Sequence, residues 1–466
     1  MNRIPGNSTV HAWLAALGCL VATTVLAAEP RSGAPSPPDT EESILARIHP
    51  PEFPARDYVI TEYGATAGAD GTEGIRRAIQ TCHDAGGGRV VVPAGLFLTG
   101  PVHLQSNVNL YLSEGATLKF DSDPQKYLPL VLTRFEGIEC MNYSPLIYAF
   151  EQENVAITGK GTLDGSANWK TWWAWNNREP GTPALQVAAR KKLDAQGASG
   201  VSVAERIYGE GSFLRPNFIQ PYRCKNVLIE GVTILNSPMW ELHPVLCTNV
   251  TVRGVTVRSL GPNNDGCDPE SCRDVLIEDS VFETGDDCIA IKSGRNNDGR
   301  RLAVPSENVV IRRCTMKDGH GGVTLGSEIS GGVRNVFVSG CTMDSPHLER
   351  AFRFKSNAVR GGVMENIHVH DVKIGRVARA VLSVEFDYEE GANGPHQPVL
   401  RNLQIENVTS ESSGSVVIVT AFPNAIIEAV RLKDCTFRGV ESADVLRHAG
   451  TLTLENVTIE SAKKSK

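Results

Sequence analysis

The sequence predicts an all-β protein, a single-domain right-handed parallel β-helix with a short N-terminal capping helix. Three observations lead to this prediction. One short phrase recurs from residue 154 to the end of the chain. Within each copy, apolar and polar residues alternate with the period of two that is typical of β-strands. In addition, 44 glycines are spread along the chain and aromatic residues make up only 6% of it, which suits many short strands and turns.

The recurring phrase sets the size of the structural unit. Neighbouring copies begin between 22 residues (429 to 451) and 36 residues (366 to 402) apart. Repetition on this scale indicates stacked coils, since one coil cannot bury its apolar face alone. Helical repeats would show a 3.6-residue period, and propeller blades would need longer four-stranded units. The copies from residue 226 onward are NVLIEGVTI (226), NVTVRGVTV (249), DVLIEDSVF (274), NVVIRRCTM (308), NVFVSGCTM (335), NIHVHDVKI (366), NLQIENVTS (402), AVRLKDCTF (429) and TLTLENVTI (451).

Two positions of the repeat have predictable roles. The asparagine that opens most copies is expected to stack on the asparagine of the next coil, forming a ladder at a turn. Cys314, Cys341 and Cys435 occupy the seventh position, where other copies have valine. They are predicted to be inward-facing thiols, although adjacent coils lie close enough for a disulfide. Cys267 and Cys272, in CDPESC, are left as either a disulfide or buried thiols.

The chain divides into four predicted regions. Residues 1–28 resemble a secretory signal peptide, because a short apolar run ends in small residues, and they predict a secreted or periplasmic protein. The alternative, a lipoprotein signal at Cys19, is disfavoured because the apolar run continues beyond it. Residues 29–55 are predicted to be a tether without a core of its own. Residues 56–466 form the β-helix, with the capping helix at 71–86 and an insertion at 165–222.

Composition excludes several classes of partner. The formal net charge is −7, which argues against nucleic acid or an anionic membrane as the main partner. An acidic substrate would therefore require a local concentration of basic residues. The 11 cysteines show no spacing typical of a zinc site. We predict no cofactor, no metal and no membrane association, and we expect a monomer.

Four polar segments interrupt the repeat and predict a functional site. Asp265 and Asp286 are 21 residues apart, while Asp287, His320 and Arg353 follow one another at intervals of 33 residues. Each interval is about one coil, so these side chains are expected to rise along one face of the stack. The segments are NNDGCDPES (263–271), GDDCIAIKSG (285–294), DGHGGVTLGSE (318–328) and RFKSN (353–357).

The residue types in these segments point to cleavage of glycosidic bonds. That reaction requires one protonated carboxyl group and one carboxylate. Repulsion among Asp265, Asp286 and Asp287 should raise the pKa of at least one of them and keep a proton available. Arg353 and Lys355 lie two residues apart on one strand face, and Lys292 adds a third cation. Together they predict an anionic sugar, and hence a polyuronide, as substrate.

In order along the chain, NND, GDD, GHG and RFK resemble the signature segments NTD, DD, GHG and RIK of the polygalacturonases, glycoside hydrolase family 28. The resemblance extends over nearly the whole mature chain and implies a pectin-lyase-like β-helix that hydrolyses α-1,4-galacturonosidic bonds with inversion. Asn264 and Phe354 depart from the usual Thr and Ile, but both lie between the functional positions. The resemblance implies proton donation by Asp286, water activation by Asp265 and Asp287, tuning of the acid by His320, and substrate binding by Arg353 and Lys355. Lys292 and Asn263 are also predicted to bind substrate.

The resemblance also bears on the mode of attack. GCDPES and GHGGVTLGSEISGG look more like the bacterial exo-acting members, and the insertion at 165–222 is expected to close one end of a groove. Its tryptophans, at positions 169, 172, 173 and 175, would either line that end or pack beneath the loop. Three alternatives stay open. They are a rhamnogalacturonan or other branched-pectin hydrolase, a Ca²⁺-dependent pectate lyase, and a non-catalytic polysaccharide-binding β-helix.

Overall fold

The computed structural model describes residues 39–176 and 185–463, and it confirms the right-handed parallel β-helix. One face of the helix is a sheet of 13 strands in which each strand pairs in parallel with the equivalent strand of the next coil. Its strands are Asp57–Val59, Gly88–Val92, Val108–Leu112, Glu153–Gly159, Lys225–Glu230, Thr248–Arg253, Arg273–Glu278, Ser306–Arg312, Val333–Ser339, Val363–His370, Val399–Glu406, Ile426–Lys433 and Leu452–Glu455.

A second sheet of 16 strands forms two further faces. The strand Lys373–Glu385 joins them, because its first residues pair with Thr342–Met343 and its last six with Arg350–Lys355. The other strands are Gly95–Thr99, Ala116–Phe120, Thr162–Asp164, Thr233–Leu235, Thr256–Ser259, Val281–Thr284, Ile289–Ile291, Thr315–Met316, Val323–Leu325, Thr409–Thr420, Thr436–Val440, Val445–Arg447 and Thr458–Ser461.

The face that carries the polar segments continues toward the N-terminus. A three-stranded sheet of Val102–His103, Ile147–Phe150 and Ile219–Tyr222 is connected to Ile289–Ile291 by single parallel bridges through Leu242 and Cys267. A separate antiparallel hairpin, Val131–Phe135 with Ile138–Asn142, stands beside this face. The register therefore places the coils of residues 242, 267, 289, 323 and 352 next to one another.

The predicted capping helix is present at Thr72–Asp84. Ile75, Ala78, Ile79 and Cys82 recur at helical spacing and are buried, so the helix covers the apolar end of the first coils. The other α-helices are Glu41–Leu45, Val187–Ala198 and Asn296–Leu302, and the 3₁₀ helices are Ile60–Tyr63, Pro124–Tyr127, Trp172–Asn176 and Val203–Glu205.

The predicted tether is wrong for the part from residue 39 onward. Ile44 and Ile48 are buried against Leu276, Val310 and Phe337, which project from the outer surface of the 13-stranded sheet. The strand pattern hid this contact, because outward-facing apolar residues look like ordinary strand residues until a partner covers them. Residues 29–38, and the signal peptide predicted at 1–28, lie outside the described residues.

The asparagine ladder and the inward thiols are confirmed. Asn249 Nδ2 donates to Asn226 Oδ1 at 2.7 Å, and the ladder continues from coil to coil with backbone φ near +55°. Where the repeat begins with Asp274, that carboxylate accepts the bond from Asn308 instead. All ten cysteines in the described part of the chain are buried and unpaired, including Cys267 and Cys272. Across residues 39–176 and 185–463, no helix is long and apolar enough to cross a membrane.

Candidate active site

The polar segments meet in one cavity of about 410 Å³ on the face defined above. Backbone hydrogen bonds from Gly266 to Asp287 and from His320 to Asp286 fix the register between neighbouring coils. Carboxyl oxygens of the three aspartates consequently lie within 4.8 Å of one another. The predicted residues that line the cavity are Asn263, Asp265, Asp286, Lys292, His320, Arg353 and Lys355, while Asp287 is fully buried behind them.

Glycines make this close approach possible. A side chain at Gly319, whose φ is +122°, would place Cβ 2.1 Å from the backbone oxygen of Asp286. At Gly285, Cβ would lie 2.2 Å from the oxygen of Gly261. The glycines of GDD and GHG therefore allow the coils to touch at the level of the carboxyl groups, a reason for their presence beyond turn formation.

Asp287 is held by two cations. Lys355 Nζ lies 2.7 Å from Asp287 Oδ2, and Arg353 Nη1 lies 3.5 Å from Oδ1. Burial raises the pKa of Asp287, but the charges of Lys355 and Arg353 outweigh that effect and lower the pKa overall. This carboxyl group is therefore ionised throughout the physiological range.

Asp286 forms a pair with His320. Asp286 Oδ1 and His320 Nδ1 are 2.9 Å apart. Burial raises the pKa of Asp286, yet its hydrogen bond to His320 lowers it overall, and the same bond raises the pKa of His320. The pKa of Asp286 is therefore not raised, because the positive charge of the His320 imidazolium offsets the repulsion from the neighbouring aspartate Asp287. In the free protein the pair carries its proton on the imidazole ring.

The raised carboxyl pKa that the sequence predicts occurs at Asp265. Its pKa rises to about 7, first because the group is buried and second because Asp286 repels its charge. Like-charge repulsion is therefore present but is not the main cause. Lys292 opposes both effects, with Nζ 3.5 Å from Asp265 Oδ2.

Lys292 and Asn263 reach the cavity in ways that the sequence did not reveal. Lys292 is only 2% exposed and is surrounded by carboxyl groups, so its predicted contact with substrate stays a prediction. Asn263 Oδ1 accepts hydrogen bonds from Arg215 Nη2 and Asn176 Nδ2, both at 2.8 Å. These donors belong to the insertion, which is described at 165–176 and 185–222.

Ion pairs close one side of the cavity. Arg190, from the insertion, pairs with Glu136 in the turn of the hairpin at 2.5 Å. Glu136 also pairs with Arg295 at 3.1 Å, and Glu389 lies within 4 Å of both arginines. Four segments that are distant in sequence are thereby joined into one wall, which we call the ion-paired wall (Glu136, Arg190, Arg295 and Glu389).

The tryptophans of the insertion pack beneath the loop. Trp172 is buried and stacks edge-on against Tyr127 and Trp175, while Trp173 Nε1 donates to the backbone oxygen of Ser237. None of the four lines the cavity described above. Their role in the described structure is to support the insertion.

Comparison with known proteins identifies the family. Residues 181–462 match the family described as Glycosyl hydrolases family 28. The chain belongs to this family. It is therefore a glycoside hydrolase, as the four segments predicted.

Relatives of this family 28 chain include both modes of attack. A Thermotoga maritima protein, whose crystal structure is described as that of a hyperthermoactive exopolygalacturonase, is 44% identical, with a TM-score of 0.86 over 90% of this chain and 95% of that one. The endo-polygalacturonase of Pectobacterium carotovorum subsp. carotovorum is 27% identical over 80% of this chain and 84% of its own. The exo-poly-alpha-D-galacturonosidase of Dickeya chrysanthemi is 26% identical over 76% of this chain and 62% of its own.

Several residues around the cavity of this glycoside hydrolase were not predicted from the sequence. Glu328 ends the segment DGHGGVTLGSE but was not itself predicted as a site residue. Tyr388 lies outside the repeat, and Arg350 is separated from RFK by only two residues. The available signal for Arg350 was its charge, because it lies on the same strand as Arg353 and Lys355. In the structure, Arg350 pairs with Glu385 at 2.6 Å. The ion-paired wall had no sequence signal, because its members come from unrelated loops.

The aspartate cluster is a poor calcium site. Ca²⁺ takes six to eight oxygen ligands. Here Lys355 and Lys292 already lie within 4 Å of Asp287 and Asp265, where they supply positive charge and occupy carboxylate oxygens. This donor set does not fit the cation that the pectate lyase alternative requires.

Proposed function

We propose that this glycoside hydrolase cleaves α-1,4-galacturonosidic bonds of pectin and acts from chain ends. The observation that carries the proposal is the meeting of Asp265, Asp286 and Asp287 with Arg353 and Lys355 in one cavity. Carboxyl groups supply the acid and base that glycoside hydrolysis needs. Buried cations beside them match a substrate that carries a carboxylate on each sugar.

In the proposed mechanism, Asp286 donates the proton to the leaving glycosidic oxygen. The Asp286–His320 pair holds one proton below the raised pKa of His320, and this proton moves from Nδ1 to the carboxyl group as the substrate binds. As the bond to the anomeric carbon breaks, a water oxygen attacks that carbon. Asp265 accepts a proton from this water, while the permanently ionised Asp287 orients it.

Arg353 and Lys355 are proposed to bind the substrate carboxylate. Both side chains line the cavity, together with Tyr388. The guanidinium of Arg353 and the ammonium of Lys355 each lie within 6 Å of the centre of the Tyr388 ring. Arginine pairs with carboxylates in a planar, two-point geometry that favours uronic acids over neutral sugars. Asn263 is proposed to contact the same sugar from the side of the insertion.

Inversion is proposed from the family resemblance. The three carboxyl groups have oxygens within 4.8 Å of one another, whereas acid and base in inverting enzymes usually lie about 6.5–9.5 Å apart. Their separation therefore does not itself favour inversion. Proton NMR of the first-formed anomer distinguishes the two outcomes directly.

The exo mode of attack is supported by the ion-paired wall and by the 44% identical exopolygalacturonase. A wall across one side converts a continuous groove into a pocket that admits a chain end. We also propose that residues 1–28 direct export of the protein, which mass spectrometry of the mature N-terminus would test.

Mass spectrometry of the products from galacturonan oligomers, incubated with the mature protein in EDTA, tests the proposed function. We expect saturated products, each one water heavier than a lyase product, with monomer or dimer appearing first. Chelation should leave the rate unchanged, because no metal takes part. Unsaturated products would contradict the acid and base assignment, and an absence of cleavage would redirect the search to branched pectins.

Substitution of Arg190 tests the exo proposal. In the Arg190→Ala variant, the ratio of monomer and dimer to longer first products should fall by about two- to fivefold, because a partly exposed ion pair contributes up to about 1 kcal/mol. Arg76→Ala is a matched control, since Arg76 pairs with Glu73 at 2.9 Å on the distant capping helix. An unchanged product pattern in Arg190→Ala would contradict a role of the wall in chain-end selection.

A further inference from the structure

Lys292 occupies an unusual position beneath the cavity. Its side chain is 2% exposed, and Nζ lies 3.5 Å from Asp265 Oδ2, 3.4 Å from Asp268 Oδ1 and 3.3 Å from Glu328 Oε2. The Trp240 ring covers another side, with its centre 4.3 Å from Nζ. A single buried ammonium group therefore faces three carboxyl groups and an aromatic ring.

This environment uses the hydrogen-bonding capacity of Lys292. An ammonium group has three N–H donors. Lys292 Nζ donates to Glu328 Oε2 at 3.3 Å and to the backbone oxygen of Gly326 at 3.5 Å, while carboxyl oxygens of Asp265 and Asp268 lie at ion-pair distance. Lys355 differs, because within 4 Å Asp287 is its one carboxylate partner among the described residues. Lys292 follows the strand Ile289–Ile291 and Lys355 ends the strand Arg350–Lys355, two coils further along the stack. The two lysines thus hold equivalent positions but have different surroundings.

Asp268 is the second unexplained group, and the proposed mechanism does not use it. It is fully buried next to Asp265, and its pKa is raised well above the usual value, first by burial and then by the charge of Asp265. Asp265 and Asp268 thus form a pair of buried carboxyl groups that both face Lys292. Such a pair holds one proton more readily than either group does alone.

Several other charged groups face Asp265 and contribute to its proton affinity. Asp286 and Asp287 raise its pKa, whereas Lys355 acts with Lys292 to lower it. Glu241 is also fully buried, and its own pKa is raised by burial and by Asp265. Among these groups, Lys292 is the cation that lies within 4 Å of both members of the pair.

We infer that Lys292 is a positioning residue that holds Asp265 and Asp268 as a carboxyl pair beneath the cavity and keeps Asp265 ready to accept a proton from water. This inference rests on the proposed function for its catalytic meaning. It replaces the expectation that Lys292 binds the substrate carboxylate. Loss of the cation would leave Asp265 protonated over a wider pH range, so the water would lose its base.

The Lys292→Met variant tests this inference by its kinetics. We expect kcat to fall by about 100-fold, within the range for loss of general base catalysis, while KM stays within about threefold of the original. The acidic limb of the kcat/KM profile should move to higher pH by about one unit, because an opposing charge at this distance lowers a carboxyl pKa by one to three units. Lys292→Arg keeps the positive charge, so the acidic limb of its kcat/KM profile should lie at the same pH as in the unsubstituted protein.

Two further variants separate positioning from a general loss of structure. In Asp268→Asn the second carboxyl group is gone, so the acidic limb should move to lower pH, opposite to Lys292→Met. Lys433→Met is the matched control, since Lys433 pairs with Glu406 far from the cavity and its replacement should leave the limb unmoved. A large rise in KM for Lys292→Met with an unmoved limb would identify Lys292 as a substrate-binding cation and overturn the inference.

A measurement without substrate keeps this inference distinct from the proposed function. Infrared difference spectra of the free protein should show a buried carboxylic acid that ionises near pH 7 and that is absent in Asp265→Asn. In Lys292→Met this ionisation should occur at higher pH. If the ionisation in Lys292→Met is not shifted, the inference is overturned, even if the unsubstituted protein cleaves galacturonan. If it is shifted but the protein does not cleave galacturonan, the inference stands and the proposed function fails.

Discussion

The Asp286→Asn variant should lose activity by about 10²- to 10⁴-fold in kcat, the range for removal of a positioned general acid. Asparagine has nearly the same shape but cannot deliver a proton to the leaving oxygen. KM should stay close to that of the unsubstituted protein, because Arg353 and Lys355 bind the substrate carboxylate in our proposal. Initial rates on oligogalacturonate of defined length measure both quantities.

The control for this prediction is Asp279→Asn. Asp279 lies outside the cavity, at the turn between the strands Arg273–Glu278 and Val281–Thr284. It pairs with Arg313 at 2.7 Å and has a φ of +52°, a conformation that asparagine also adopts. Its replacement should leave kcat unchanged. In a non-catalytic polysaccharide-binding β-helix, Asp286→Asn would have no larger effect than Asp279→Asn. If Asp286→Asn retained more than about a tenth of the original rate, the assignment of Asp286 as the acid would be contradicted.

The Arg134→Met variant should lose about 3–5 kcal/mol in the free energy of unfolding, the usual cost of removing one partner of a buried ion pair. Arg134 Nη1 lies 2.9 Å from Glu270 Oε1, and both side chains are essentially inaccessible. His243 Nε2 lies 2.8 Å from the other carboxyl oxygen. Without the guanidinium, Glu270 would be left buried with a partner that is itself uncharged at neutral pH, since burial lowers the pKa of His243.

Urea denaturation at several pH values measures this effect. Burial raises the pKa of Glu270, but Arg134 and His243 lower it overall. The contribution of Glu270 to stability is therefore present above the pKa of the unfolded group, about 4.3, and is lost as pH falls through the lower pKa of the folded protein. In that acidic range, the free energies of unfolding of the unsubstituted protein and of Arg134→Met should therefore become more similar.

A double variant and an exposed pair complete the comparison. Arg134→Met with Glu270→Gln should recover part of the stability, because it removes the unpaired charge. Arg258→Met breaks an exposed pair with Glu283 and should cost less than about 1 kcal/mol. If Arg134→Met and Arg258→Met lowered the free energy of unfolding by the same amount, the prediction that breaking the buried pair costs more would be contradicted.

The β-helix was predictable because its determinants are periodic. Inward positions alternate along each strand, so Cys314 was recognisable as a substitute for valine in the same register. The asparagine ladder followed from the same alignment of copies. Local repetition was sufficient, since each coil makes nearly the same contacts with its neighbours as the previous coil does.

The candidate site was predictable in composition and approximate position. Coil-length intervals brought Asp265, Asp287, His320 and Arg353 to one face, and the structure places them around one cavity. Their protonation was not predictable. Adjacent aspartates suggested a raised pKa somewhere in the cluster, but the bond to His320 lowers that of Asp286, and burial raises that of Asp265.

The sequence by itself determined the fold class, the family and the aspartates, histidine and cations at the centre of the cavity. Strand alternation and coil spacing sufficed for this, because both can be read from local segments of the chain. Only the tertiary structure decided how the charges pair. Glu136 meets Arg295, 159 residues away, and Lys292 meets Glu328 rather than open solvent. Such contacts depend on where loops of different length fold back against the stack, and on burial, which no single stretch of sequence specifies.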